Sequence, residues 1–195
     1  MRQWIHEVFI RRKQINPDNS REVFGQNRSA SNLVLIMKWG KWLENWDMTS
    51  LKIKTPFLDM DWNPQDEDKA AAWELYIELL TRITTQKLDD NHGDEKTALT
   101  SIFSIFAITR DVMRNNGRHC MEFTKIAIVV LNQVVRPFTS KWHGLSVKGA
   151  FDDPAKCEEF RAELVEIQRV LKLYTKMLAD MAGVEDLTEL ESDEI

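Results

Sequence analysis

The sequence predicts an all-α protein, an antiparallel bundle of about four long helices with an N-terminal helical appendage that leaves room for a short hairpin. Three observations carry this. Apolar residues recur at alternating steps of three and four through residues 63–183. Helix start and stop signals bracket each run. The links between the middle runs are short and polar, which favours antiparallel neighbours. The chain accordingly divides into a Trp-rich, basic appendage (1–62), a bundle domain (63–183) and an acidic tail (184–195) that reads as a solvated end.

In the appendage, residues 2–12 suit a short helix burying Trp4, Ile5, Val8 and Phe9, and residues 13–31 read as a polar loop. Trp39, Trp42, Leu43 and Trp46 stand at helical spacing, so residues 33–46 are expected to form a helix interrupted at Gly40. Residues 33–37 could instead be a strand, and Leu51-Lys52-Ile53-Lys54 alternates like an extended segment. Packing is the default role of these tryptophans. A partner surface, or an amphipathic element on a membrane, is the alternative.

The bundle opens at Asn63-Pro64, with Asp66, Glu67 and Asp68 opposing the positive end of a helix dipole. That helix should run to about Leu88, with Trp73, Tyr76, Leu80 and Ile83 on one face. Asp94 opens the next, whose stripe is Leu99, Phe103, Phe106, Arg110 and Met113, and Asn116-Gly117 ends it. Cys120, Phe123, Ala127, Val130 and Val134 mark a third helix, stopped by Pro137. Residues 138–152 read as a basic, glycine-containing crossover. Asp153-Pro154 then starts a long helix with an unbroken seam of Cys157, Phe160, Leu164, Ile167, Leu171, Tyr174, Leu178 and Met181, closed by Gly183.

Charge is partitioned. Residues 1–54 carry ten Lys/Arg against five acids, 55–93 three against nine, 94–149 eight against four, and 150–195 five against thirteen. Such alternation complements itself or a partner and does not form the uniform basic stripe of a DNA-binding protein. Cys120 and Cys157 are too few for a disulfide framework or a zinc site. The first residues hold charges inside any apolar run and no stretch is long enough to span a membrane, so a cytoplasmic location is the expectation.

No glycine-rich phosphate loop, G-x-S-x-G, H-E-x-x-H or C-x-x-C occurs, so no motif implies a cofactor. His6, His92, His119 and His143 lie in separate segments. Asp59, Asp61, Asp66, Glu67 and Asp68 lack the pattern of a cation site, and capping or solvation covers them; no metal is expected. Arg110 falls within an apolar stripe, where it needs an ion-pair partner or a wet cleft. With Arg114 one turn on, it would make an anion-binding pair for a phosphorylated ligand.

Arg114-Asn115-Asn116-Gly117-Arg118-His119 resembles the R-x(4–6)-H motif of HEPN ribonucleases, which are small, commonly dimeric helical bundles that cleave RNA without metal. The resemblance spans six residues and the general helical architecture. It implies Arg114 on phosphate, His119 moving a proton near the 2′-hydroxyl and Asn115 supporting both. The other reading has Arg114 at a helix C-terminus, Asn116-Gly117 as its cap and His119 opening the next helix. The run from Arg136 to Gly144 interleaves cations with aromatics. Arg136, Lys141, Trp142 and His143 suit a protein hot spot, the same pattern suits single-stranded RNA, and docking of Phe138 and Trp142 onto the bundle is favoured. The leading expectation is a helical interaction or scaffold module with a protein partner or self-association. A metal-independent ribonuclease acting as a toxin or defence effector, and an anion sensor, are the alternatives.

Overall fold

Side chains that recur every three or four residues can be buried together only on a helix, and in the computed structural model they are. The structure describes residues 37–46, 55–188 and 190. These lie in Leu35–Ile195, the second of two units into which the chain divides; the first is Met1–Val34. The expected helix at 2–12, the loop at 13–31, the segment 51–54 and most of the tail beyond 188 fall outside the described residues. The elements are β1 (Met37–Lys38), α1 (Trp39–Asn45), β2 (Asp61–Trp62), α2 (Asp66–Leu80), α3 (Glu95–Asn116), α4 (Met121–Val130), α5 (Arg136–Ser146) and α6 (Pro154–Ala182). A π turn, Leu131–Val135, joins α4 to α5 without a break. Thus the bundle is mostly helical, and its two short strands pair antiparallel, Met37 opposite Trp62 and Lys38 opposite Asp61.

α2 packs most extensively on α6 and also meets α3 and α4. Ala71 and Ala72, both fully buried, let those neighbours approach closely. The seam of α6 is buried from Phe160 to Met181, its N-cap Asp153 accepts from the Ala155 N–H, and Gly183 closes it at φ 71°. Residues 37–46 and 55–62 share this core: Trp39, Trp42, Leu43 and Phe57 are buried in it. Gly40 does not interrupt α1. The first N–H groups of the helix, on Trp39 and Gly40, donate to the Met60 and Leu58 carbonyls at 3.0 and 2.9 Å, and a Cβ on Gly40 would stand 3.3 Å from that Leu58 oxygen.

Several expectations are corrected. α2 is capped by Gln65 rather than Asn63, and it stops at Leu80. Thr84 and Thr85 turn back there and donate their hydroxyls to the Leu79 carbonyl at 2.5 and 3.1 Å, ending the helix with side chains. Its buried face is Ala71, Leu75, Tyr76 and Leu79, which leaves Trp73 44% exposed. On α3 the buried stripe runs through Leu99, Ile102, Ile105, Phe106, Thr109 and Val112. Phe103 and Arg110 therefore face outward, and the charge expected in the core is solvated.

Pro137 does not stop the helix. A proline clashes with the carbonyl four residues back and lacks an N–H. The wider π turn ends just before it, which puts Pro137 in the first turn of α5, where no amide is needed. The expected crossover is therefore helical from Arg136 to Ser146. The first part of the tail is also docked: the Leu187 N–H donates to the Tyr76 hydroxyl at 2.8 Å, and Thr188 is buried.

Asp68 joins two helix starts. Its Oδ2 accepts from the Gln65 N–H at 2.8 Å, and its Oδ1 accepts from the Phe123 N–H in the first turn of α4 at 2.9 Å. The side chain of Cys120 does not cap α4, so the carboxylate of another helix does so. Replacing Asp68 with Ala leaves two amides without acceptors and is expected to destabilise the fold by about 2–4 kcal/mol, with Asp68→Asn milder. Urea unfolding followed by circular dichroism measures this; a loss under about 0.5 kcal/mol would contradict the bridging role.

Candidate functional site

Residues seven apart on a helix fall on one side of it. On α3 these include Lys96, Phe103 and Arg110, all exposed, with Phe103 49% open to solvent. On α5 they are Arg136, exposed, and His143, half-buried. The two series meet. The His143 ring stands edge-on to Phe103 with centroids 4.8 Å apart, and the Arg136 guanidinium lies over the Phe106 ring at 5.0 Å. Advancing along α5 thus retreats along α3, so the two helices run antiparallel and form a shallow basic-aromatic strip.

The strip gathers cations that lack carboxylates. Arg82, Arg114, Arg161 and Arg169 each have a carboxylate partner, whereas Arg118, beyond the end of α3, donates only to His119 among the described residues. Arg110 has none among the described residues, and Arg136 donates only to the amide oxygen of Asn132, at 3.0 Å. The cation–π contact holds the Arg136 side chain, worth roughly 0.5–1 kcal/mol at an exposed site, but leaves its charge uncompensated. Beside it, the His143 Nε2 is enclosed and has no hydrogen-bond partner among the described residues.

The other anticipated residues lie elsewhere. Arg114 donates to Asp111 at 2.9 Å, and both are exposed. Asn115 lines a groove of about 280 Å³ between α2 and α3 with Glu74, Ile77 and Asp111. Gly117, at φ 70°, turns the chain before His119, whose Nε2 accepts from the Arg118 Nε at 3.4 Å. No hydrogen bond joins Arg114 to His119, nor do they share a partner among the described residues. As an anion pair, Arg110 and Arg114 are unequal: Asp111 holds one, while the other remains open.

Lys141 and Trp142 both turn toward α6, Trp142 in the core and Lys141 at the surface. Trp142 is fully buried between Phe151 and Phe160, and its indole N–H donates to Glu163 on α6 at 2.9 Å. It therefore presents nothing to a partner. Lys141 bonds Glu159 at 2.8 Å and also Glu163. Its ammonium donates to both carboxylates, Glu159 foremost, which raises the Lys141 pKa. The bonds from Lys141 and Lys156 in turn pull Glu159 down to about 2.

Among the described residues no three His, Cys, Asp or Glu side chains are grouped to hold a metal ion, and no helix is long and apolar enough to cross a membrane. A groove of about 660 Å³ beside the π turn is lined by residues including Leu58, Ile128 and Asn132, with no titratable side chain among them. No protein family, curated protein or solved structure matches the chain. The strip was legible only in part. Arg110, Arg136 and His143 stood out in the sequence, whereas Phe103 and Phe106 read as core. The seven-residue repeat of Lys96, Phe103 and Arg110 was the available signal.

Two outcomes follow. The pKa of Glu159 is depressed on folding, so its ion pairs support the fold fully above the ordinary value of 4.5 and lose that contribution as pH falls through about 2. Carboxyl NMR should place its midpoint near 2 and find it moved upward in Lys141→Met; an unmoved midpoint would refute the pairing. Purified protein and its Arg114→Ala/His119→Ala variant should leave tRNA equally intact, whereas cleavage by the wild type alone would establish the pair as catalytic.

Proposed function

We propose that this chain is a helical protein-interaction module that holds a protein partner on the strip formed by α3 and α5. The observation that carries this reading is the half-exposed Phe103, flanked by His143 and by Arg110 and Arg136, neither of which has a carboxylate partner among the described residues. Aromatic residues and arginine dominate the centres of protein interfaces. They do so because a flat ring buries much apolar area with few torsions, and a guanidinium offers several donors in a fixed plane. A site so composed gains little from remaining in water.

The face is also separable from stability. Phe103 and Arg110 lie outside the buried stripe of α3, so replacing them leaves the core residues in place and removes from Phe103 only its ring contacts with His143 and Phe106. A photo-crosslinking residue at position 103, introduced in cells, should yield discrete adducts, while the same residue at exposed Val165 on α6 should not. Phe103→Ala should weaken capture of the crosslinked partner by about tenfold or more, with unchanged helix content. Equal labelling from both positions, or none from 103, would overturn this assignment.

A further inference from the structure

We infer that the segment received by the strip is an acidic amphipathic helix, which sets an apolar residue on Phe103 and carboxylates on Arg110 and Arg136; this rests on the interaction reading above. Three features of the strip choose this occupant. The first is shape. Lys96, Phe103 and Arg110 repeat every seven residues, so at 1.5 Å per residue the line is about 21 Å long, the length of roughly four helical turns. An incoming helix with the same repeat can match it residue for residue, as helices do in grooves.

The second is charge. Lys96, Arg110 and Arg136 have no carboxylate partner among the described residues, whereas Arg82, Arg114, Arg161 and Arg169 each have one. Carboxylates placed one heptad either side of an apolar anchor would meet these cations, and two forked guanidiniums favour carboxylate geometry. The third is the limited aromatic content. A single-stranded nucleic acid needs successive aromatic platforms and a row of cations, whereas this strip exposes one phenyl ring. The chain also carries a net charge of -5, which repels a long polyanion at a distance but hinders a short acidic helix less.

The experiment uses the full chain and three fluorescein-labelled probes in anisotropy titrations. One is a designed amphipathic peptide with a leucine stripe flanked by glutamates. The second has lysines in place of the glutamates, and the third is an oligouridylate. The glutamate peptide should bind, weaken as salt rises, and lose about tenfold in affinity with Arg110→Ala, Arg136→Ala or Phe103→Ser. Arg169→Ala, an exposed arginine on α6, should bind as the wild type does. Circular dichroism of each variant checks that the fold is kept. Equal binding of the two peptides would overturn the acidic assignment. Oligouridylate bound more tightly, and lost in the same variants, would make the strip an RNA surface instead. If neither peptide binds while position 103 still crosslinks in cells, the acidic helix fails and the interaction reading stands; if crosslinking fails as well, both fall.

Discussion

A tryptophan placed in a protein interior brings an N–H that must find an acceptor, and this requirement organises the described fold. Trp39, Trp42 and Trp142 are all buried, and each indole donates to a carboxylate on another helix: Glu122 at 2.5 Å, Asp180 at 2.6 Å and Glu163 at 2.9 Å. Each ring buries on the order of 150–250 Å². A hydrogen bond to a charged acceptor adds about 1.5–3 kcal/mol, and its loss would strand a buried donor. The three bonds tie α1 to α4, α1 to α6 and α5 to α6. Trp62 stacks on Trp42 with centroids 3.9 Å apart, which brings the strand pair onto the same core. Trp39 and Trp42 of α1 thus find their acceptors on helices later in the chain, whereas the cations Lys38 and Lys41 pair with Asp61 and Glu44 nearby.

Other long-range side-chain hydrogen bonds act at helix ends, where backbone groups lack partners. Asp68 serves two N-termini at once. On α6, Gln168 donates to the Ile83 and Gln86 carbonyls at 2.6 and 2.7 Å. Two turns earlier, Arg161 grips Glu95 at 2.6 Å and the carbonyls of Asp89 and Gly93 at 2.9 and 2.8 Å. Together they clamp the whole connection between α2 and α3 onto α6. That link looked like a simple polar turn, yet side chains more than sixty residues away hold it.

The same logic explains why α5 has two characters. Its inner face, with Phe138 and Trp142, is bound to α6, whereas Arg136 and His143 lie against the outer side of α3. One residue added to a turn rotates everything after it by about 100°. The π turn before Pro137 supplies such an addition, and so sets which side chains of α5 meet Phe103 and Phe106. A local answer to a proline thereby assembles the basic-aromatic strip.

Helices α3, α4 and α6, the seam of α6 and the caps at Asp94, Asp153, Gly117 and Gly183 were determined by sequence alone, because periodicity and capping are local properties of neighbouring residues. Several features were decided only in three dimensions. Trp73 and Phe103 satisfy an apolar periodicity yet lie outside, since the neighbouring helices cover a face rotated from the one the largest side chains mark. Pro137 reads as a stop, although Val135, Phe138, Trp142 and Leu145 continue at helical spacing across it. Finding acceptors for three indoles, a shared cap for two helices and an aromatic companion for Arg136 requires residues distant in the chain to meet. Spacing along one segment carries no information about such meetings; packing alone supplies it.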